Sequence, residues 1–85
     1  MVYRKGELSK TQIDRDWPHQ VALPGDFVAG HNHKMIEEFC RDLSVCRRTP
    51  GFYRDHRWYW IYCFAERADA ELFRARFGGA MAQSW

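Results

Sequence analysis

The chain has 85 residues, 46% of them hydrophobic and 16% aromatic, which is apolar area for one packed domain, argues against wholesale disorder and leaves no room for two domains. Its 13 basic and 11 acidic residues leave a net charge of +2, too mild to demand a nucleic-acid partner. The basic residues are unevenly placed: Arg47, Arg48, Arg54 and Arg57 lie close in sequence with only Asp55 among them.

In chain order, residues 1–11 read as a polar N-terminal arm. Residues 12–79 read as a single α+β domain, and residues 80–85 as a tail or short edge strand. In QIDRDWPHQVALP, Ile13, Arg15, Trp17, His19, Val21 and Leu23 share one parity, which predicts a half-buried strand near Val21. Pro18 and Pro24 limit it, and Pro18 favours an edge position or a short strand. Pro24–Asp26 reads as a turn. In HNHKMIEEFCRDLS, Met35, Ile36, Phe39, Cys40 and Leu43 recur at helical spacing, and Asn32 is placed to cap the helix.

Two strands are expected over VCRRTPGFYRDHRWYWIYCFA, turning either at Pro50–Gly51 or at Asp55–His56. Trp58, Trp60, Tyr62 and Phe64 take one face of the second strand and Tyr59, Ile61, Cys63 and Ala65 the other. Apolar residues on both faces mark a central strand. ERADAELFRARFGG reads as a second helix with Ala70, Phe73 and Phe77 on its buried stripe. Acidic residues open it, Arg74 and Arg76 close it, and Gly78 stops it. The order β-α-β-β-α, with a short final strand as an option, is that of a ferredoxin-like two-layer sandwich: an antiparallel sheet with two helices on one face. Trp58, Trp60, Tyr62 and Phe64 are expected to pack against Phe39, Leu43, Phe73 and Phe77. The face carrying Tyr59, Ile61 and Cys63 is expected to stay uncovered, and so to favour a homodimer.

The aromatic strand followed by Phe64-x-x-x-x-Asp69-Ala70 resembles the third strand and second helix of RNA-recognition-motif domains. That resemblance, over roughly a quarter of the chain, implies a base-stacking surface in which Arg57 takes the basic position and Tyr59 the first aromatic one. Ile61 departs from the second aromatic position, and Trp58 and Trp60 replace small residues. Over more than half the chain, QIDRDWPHQVALP and YCFAERADAELFRARFGG are similar to segments of short, uncharacterised bacterial and prophage-type proteins. This resemblance implies a phage or mobile-element setting, in which some small proteins are anti-CRISPR inhibitors.

The residues carry little catalytic signal. His31, His33, Cys40, Cys46, His56 and Cys63 include metal-ligand types but lack the paired C-x(2–4)-C spacing of structural zinc sites. Cys40 and Cys63 fall on buried stripes, where a cysteine behaves as a small hydrophobe. Cys46 beside Arg47 and Arg48 has the electropositive setting of a reactive thiol, without a nucleophile elbow or glycine-rich companion. The expectation is therefore no enzyme, no cofactor and no metal. An odd cysteine count without an apolar leader favours a cytoplasmic protein with reduced thiols. The longest apolar run, Trp58 to Ala65, has eight residues against about 20 for a bilayer span, so no membrane partner is expected.

The candidate site is the arginine and aromatic set Arg47, Arg48, Tyr53, Arg54, His56, Arg57 and Tyr59. These types suit a protein interface, where Arg, Trp and Tyr are enriched as anchors. The expected partner is a protein or nucleoprotein complex, in the sharpest form one blocked by an anti-CRISPR-like inhibitor. The alternative is direct binding of RNA or single-stranded DNA through the same residues.

Overall fold

The computed structural model of the chain describes residues 9–82. Four strands, β1 (His19–Pro24), β2 (Gly51–Arg54), β3 (Arg57–Phe64) and β4 (Ala80–Met81), form one sheet in the order β2-β3-β1-β4. Every neighbouring pair is antiparallel. Helices α2 (Gly25–Val28) and α3 (His31–Cys40) connect β1 to β2, and α4 (Arg67–Phe77) connects β3 to β4. This is the ferredoxin-like α+β arrangement, preceded by one more helix, α1 (Lys10–Asp16).

The pleat of β1 and β3 divides the interior into two layers. Val21, Leu23, Tyr62 and Phe64 point to one side, where Val28, Ile36, Cys40, Ala70 and Phe73 close over them. Phe73 is the hub of this side. Its ring lies 4.9 Å from Tyr62, 5.1 Å from Phe64 and 5.1 Å from Phe77, and Phe77 meets Phe39 edge-on at 5.2 Å. On the opposite side Ala22, Ile61 and Cys63 are buried with Ile13 of α1, Cys46 and Ala82. The segment before β2 is stitched to the end of β3. Cys46 N–H donates to Cys63 O at 2.7 Å, and Ala65 N–H to Ser44 O at 3.1 Å. Ser44 also ties down α4: its N–H donates to Asp69 Oδ2 and its Oγ accepts from Glu66 N–H.

Several expectations need correction. Helix α1 stands where a polar arm and the start of a strand were expected; Ser9 caps it by accepting Gln12 N–H at 3.1 Å. The remainder of that arm, residues 1–8, and residues 83–85 lie outside the described residues. β1 is interior, because Pro18 precedes the strand and removes nothing from its ladder. The Pro24–Asp26 segment ends β1 and opens α2 rather than forming a simple turn. Gly30 caps α3 at φ 71, and Asn32 instead donates to Phe27 O at 2.7 Å. The Tyr59–Ile61–Cys63 face is not bare, since α1 and Ala82 close over Ile61 and Cys63, so the case for a homodimer built on it loses its premise. Finally, Tyr62 and Phe64 pack as expected, but Trp58 and Trp60 are 59% and 40% exposed, with Gly25 of α2 lying against the backbone and Cβ of Trp58.

Phe73→Ala should cost about 3–5 kcal/mol by urea denaturation, the range for deleting a buried aromatic. An unchanged urea midpoint would contradict this packing. The two glycines after α4 should differ sharply. Gly78 has φ 81 with open space around it, whereas a Cβ on Gly79 would sit 2.6 Å from Ala22 O. Gly78→Ala should cost about 1–3 kcal/mol, because φ 81 with ψ −144 is a conformation nearly confined to glycine, and Gly79→Ala clearly more. Equal costs would remove the close approach of Gly79 to β1.

Candidate docking surface

The surface grows out of the hairpin of β2 and β3. Its tip is Asp55–His56, both in the left-handed region at φ 53 and 65, which joins the strands by a two-residue turn of type I′ character. Cross-strand partners share a side, so the register assigns every side chain. Tyr53 and Trp58 face each other on the helix side with ring centroids 5.2 Å apart. Trp60 is opposite Gly51, and a Cβ on Gly51 would lie 3.4 Å from the Trp60 ring and 3.6 Å from that of Trp58. The missing side chain at Gly51 lets both indoles lie across the strand. Tyr53, Trp58 and Trp60 thus make one aromatic platform, with Tyr53 at 55% exposure. A groove of about 530 Å³ continues from Trp60 between Gly25, Gly30, His33, Glu37 and Thr49.

The other side of the hairpin carries Phe52 opposite Tyr59 and Arg54 opposite Arg57. Two arginines directly across a strand pair repel, which costs stability. Asp55, 3.7 Å from Arg54, offsets part of that charge. On this side a second groove of about 250 Å³ runs between α1 and the hairpin, floored by Ile13, Ile61, Cys63 and Phe52 and edged by Lys10, Asp14, Gln20 and Arg48. Gln20 and Lys10 both donate to the Asp14 carboxylate and hold its pKa below the usual value.

The structure therefore splits the arginine set. Arg48, Arg54 and Arg57 border the side toward α1, whereas Arg47 lies on the helix side in a groove that also contains Glu37 and Glu38. His56 is at the exposed tip. Tyr59 is half-buried against the Ile61 layer. Parity alone places Trp58 and Trp60, the largest members of the surface, in the core. Their position in the exposed end of an aromatic strand had no signal in the alternation alone.

Cys40 and Cys63 lack the setting of a nucleophile. Cys40, Cys46 and Cys63 are all free and buried. Burial pushes the Cys40 thiol up to about 11 and that of Cys63 up to about 12. Cys46 Sγ accepts the Arg48 N–H at 3.5 Å. Among the described residues no three His, Cys, Asp or Glu side chains are grouped to hold a metal ion, and no helix is long and apolar enough to cross a membrane. No family model matches the chain, and no curated protein or solved structure matches it either.

His56→Gly should raise stability by about 0.5–1 kcal/mol, because relief of left-handed strain outweighs the added flexibility of glycine. A lower melting temperature would remove the assigned turn. Stability should also fall at high pH. The thiols of Cys40 and Cys63 titrate near 9.0 when unfolded and near 11 and 12 when folded. Above about pH 9 the unfolded chain sheds protons that the folded chain keeps, so rising pH favours unfolding. Urea midpoints from pH 7 to 11 should be flat at first and then decline, and Cys63→Ala should flatten the decline. A decline of the same size in Cys63→Ala would assign it elsewhere.

Proposed function

We propose that this chain is a non-enzymatic docking module that engages a protein or a nucleoprotein complex through its β2–β3 hairpin. The observation that carries the reading is the platform of Tyr53, Trp58 and Trp60. Three large rings stand together at the surface of the hairpin, 40–59% exposed, where contiguous apolar area is a liability unless something covers it. Aromatic residues beside arginine are the composition of interface anchors. The narrower form, a phage-type inhibitor of anti-CRISPR kind, rests on the sequence resemblance.

The course of α1 favours a protein partner over direct binding of RNA or single-stranded DNA. A surface of the RNA-recognition type would use the sheet face opposite α3 and α4, and there Ile13 buries Ile61 and Cys63. Tyr53, Trp58 and Trp60 are on the other side, and among the described residues Phe52 is the one exposed large hydrophobic ring that shares the side of Tyr59. Two of the arginines, Arg54 and Arg57, share a side with Tyr59, but the indoles do not.

Two measurements test the reading together. Anisotropy titrations with single-stranded oligonucleotides at several salt concentrations should show weak binding. Micromolar or tighter binding with a log–log salt slope of about −3, as four arginine–phosphate contacts would give on a single strand, would overturn it. Capture from a lysate of the source cell should survive nuclease treatment and be lost in Trp58→Ala. Capture that nuclease abolishes, together with micromolar or tighter binding of the bare oligonucleotides, would transfer the function to nucleic acid.

A further inference from the structure

Resting on that docking reading, we propose that the partner enters as an added strand: the outer edge of β2 takes up an extended, acidic segment of a partner protein. β2 is the terminal strand of the sheet among the described residues, and all four of its residues are exposed. The register decides which backbone groups it offers. Ile61 N–H donates to Pro50 O at 2.8 Å, which makes Pro50 and Ile61 a hydrogen-bonded pair. Antiparallel pairs alternate, so Phe52–Tyr59 and Arg54–Arg57 are the next such pairs along the hairpin. Phe52 and Arg54 turn their amides inward to β3. Gly51 and Tyr53 turn theirs outward, presenting two N–H and two C=O groups over about 7 Å of edge, twice the rise per strand residue.

The pleat then dictates the chemistry of the incoming strand. Its residues on the helix side meet Tyr53 and Trp58 and pass beside the bare Gly51, which suits apolar side chains. Its alternate residues fall on the side of Phe52, Arg54, Arg57 and Arg48, which suits carboxylates at the arginines and a long side chain whose methylenes cover Phe52. Edge strands are commonly blunted by lysine, proline or a bulge against such pairing. Here Pro50 and Arg54 bound the ends, and the span between them is Gly51, Phe52 and Tyr53. The charge argues against a second copy of this chain. Antiparallel pairing of two β2 edges sets the Arg54 end of each against the Arg47 and Arg48 end of the other. An acidic segment instead meets the opposed Arg54 and Arg57 with the opposite sign, as strand-addition recognition with alternating side-chain specificity requires.

The test uses the full chain, isotopically labelled, and an acetylated, amidated peptide of alternating valine and glutamate. Hydrogen exchange and tryptophan fluorescence are read in parallel. Saturable binding should slow exchange at the Gly51 and Tyr53 amides, with Phe52 and Arg54 unchanged, and should shift the fluorescence. N-methylation of the peptide amides that face β2 should weaken binding about tenfold or more, the equivalent of one or two backbone hydrogen bonds. Replacing glutamate by lysine should abolish it. Equal affinity of the methylated peptide overturns the proposal, as does absence of saturable binding. A fluorescence shift without protection of Gly51 and Tyr53 overturns strand addition while leaving the aromatic platform as a docking surface. Loss of the docking reading itself is read separately, as partner capture that persists in Trp58→Ala.

Discussion

The organisation of this protein depends on one strand being longer than the layers that cover it. Ile61, Tyr62, Cys63 and Phe64 of β3 are all buried, with α3 and α4 on one side and α1 on the other. Of the preceding residues, Arg57, Trp58 and Trp60 are exposed and Tyr59 is half-buried against the α1 side; they are held in extended form by β2 and the outer part of β1, with Gly25 of α2 against the Trp58 backbone. Both halves are aromatic. In the inner half the rings supply the area a small domain needs for stability. In the outer half the same chemistry has no core to fill, and Gly51 and the Asp55–His56 turn arrange it into a surface.

Helix α1 is the second determinant, because it decides which side of the sheet is open. A ferredoxin-like sheet with helices on one face leaves the opposite face to water or to a ligand. Here Ile13 seals that face over Ile61 and Cys63, and the cover is continued by Cys46 and Ala82. What remains open is the hairpin end. The arginines follow the same division, with Arg48, Arg54 and Arg57 bordering the side of α1 and Arg47 on the helix side. Their closeness in sequence therefore does not translate into a single basic cluster.

Much of the fold was legible from periodicity. The spacing of Met35, Ile36, Phe39, Cys40 and Leu43 and that of Ala70, Phe73 and Phe77 located two helices, since helical register fixes which residues share a face; in the first stripe Met35 is instead 37% exposed and Leu43 lies past the helix end at Cys40. The alternation through β3 assigned Trp58 and Trp60 to the side of Tyr62 and Phe64, and that side is right. Alternation says nothing about how far a covering layer extends, so exposure of the indoles was not legible. Helix α1 did leave a mark, Ser9-x-x-Gln12, a capping-box spacing. It was masked because Ile13 and Trp17 also match the two-residue period of the strand that follows. At the hairpin, Pro50–Gly51 is the stronger turn signal by residue type, yet the turn forms at Asp55–His56, where cross-strand pairing of Tyr53 with Trp58 compensates two strained residues.

The division of β3 into a structural half and a presented half is tested most directly by the unfolding free energy of a Trp58→Thr, Trp60→Thr double variant beside that of Phe64→Ala. Threonine keeps the strand propensity while removing both indoles. The account predicts that the double variant stays within about 1 kcal/mol of the parent, as exposed positions do, whereas Phe64→Ala loses about 3–5 kcal/mol. A double variant as unstable as Phe64→Ala would place the two tryptophans in the core and remove the presented surface.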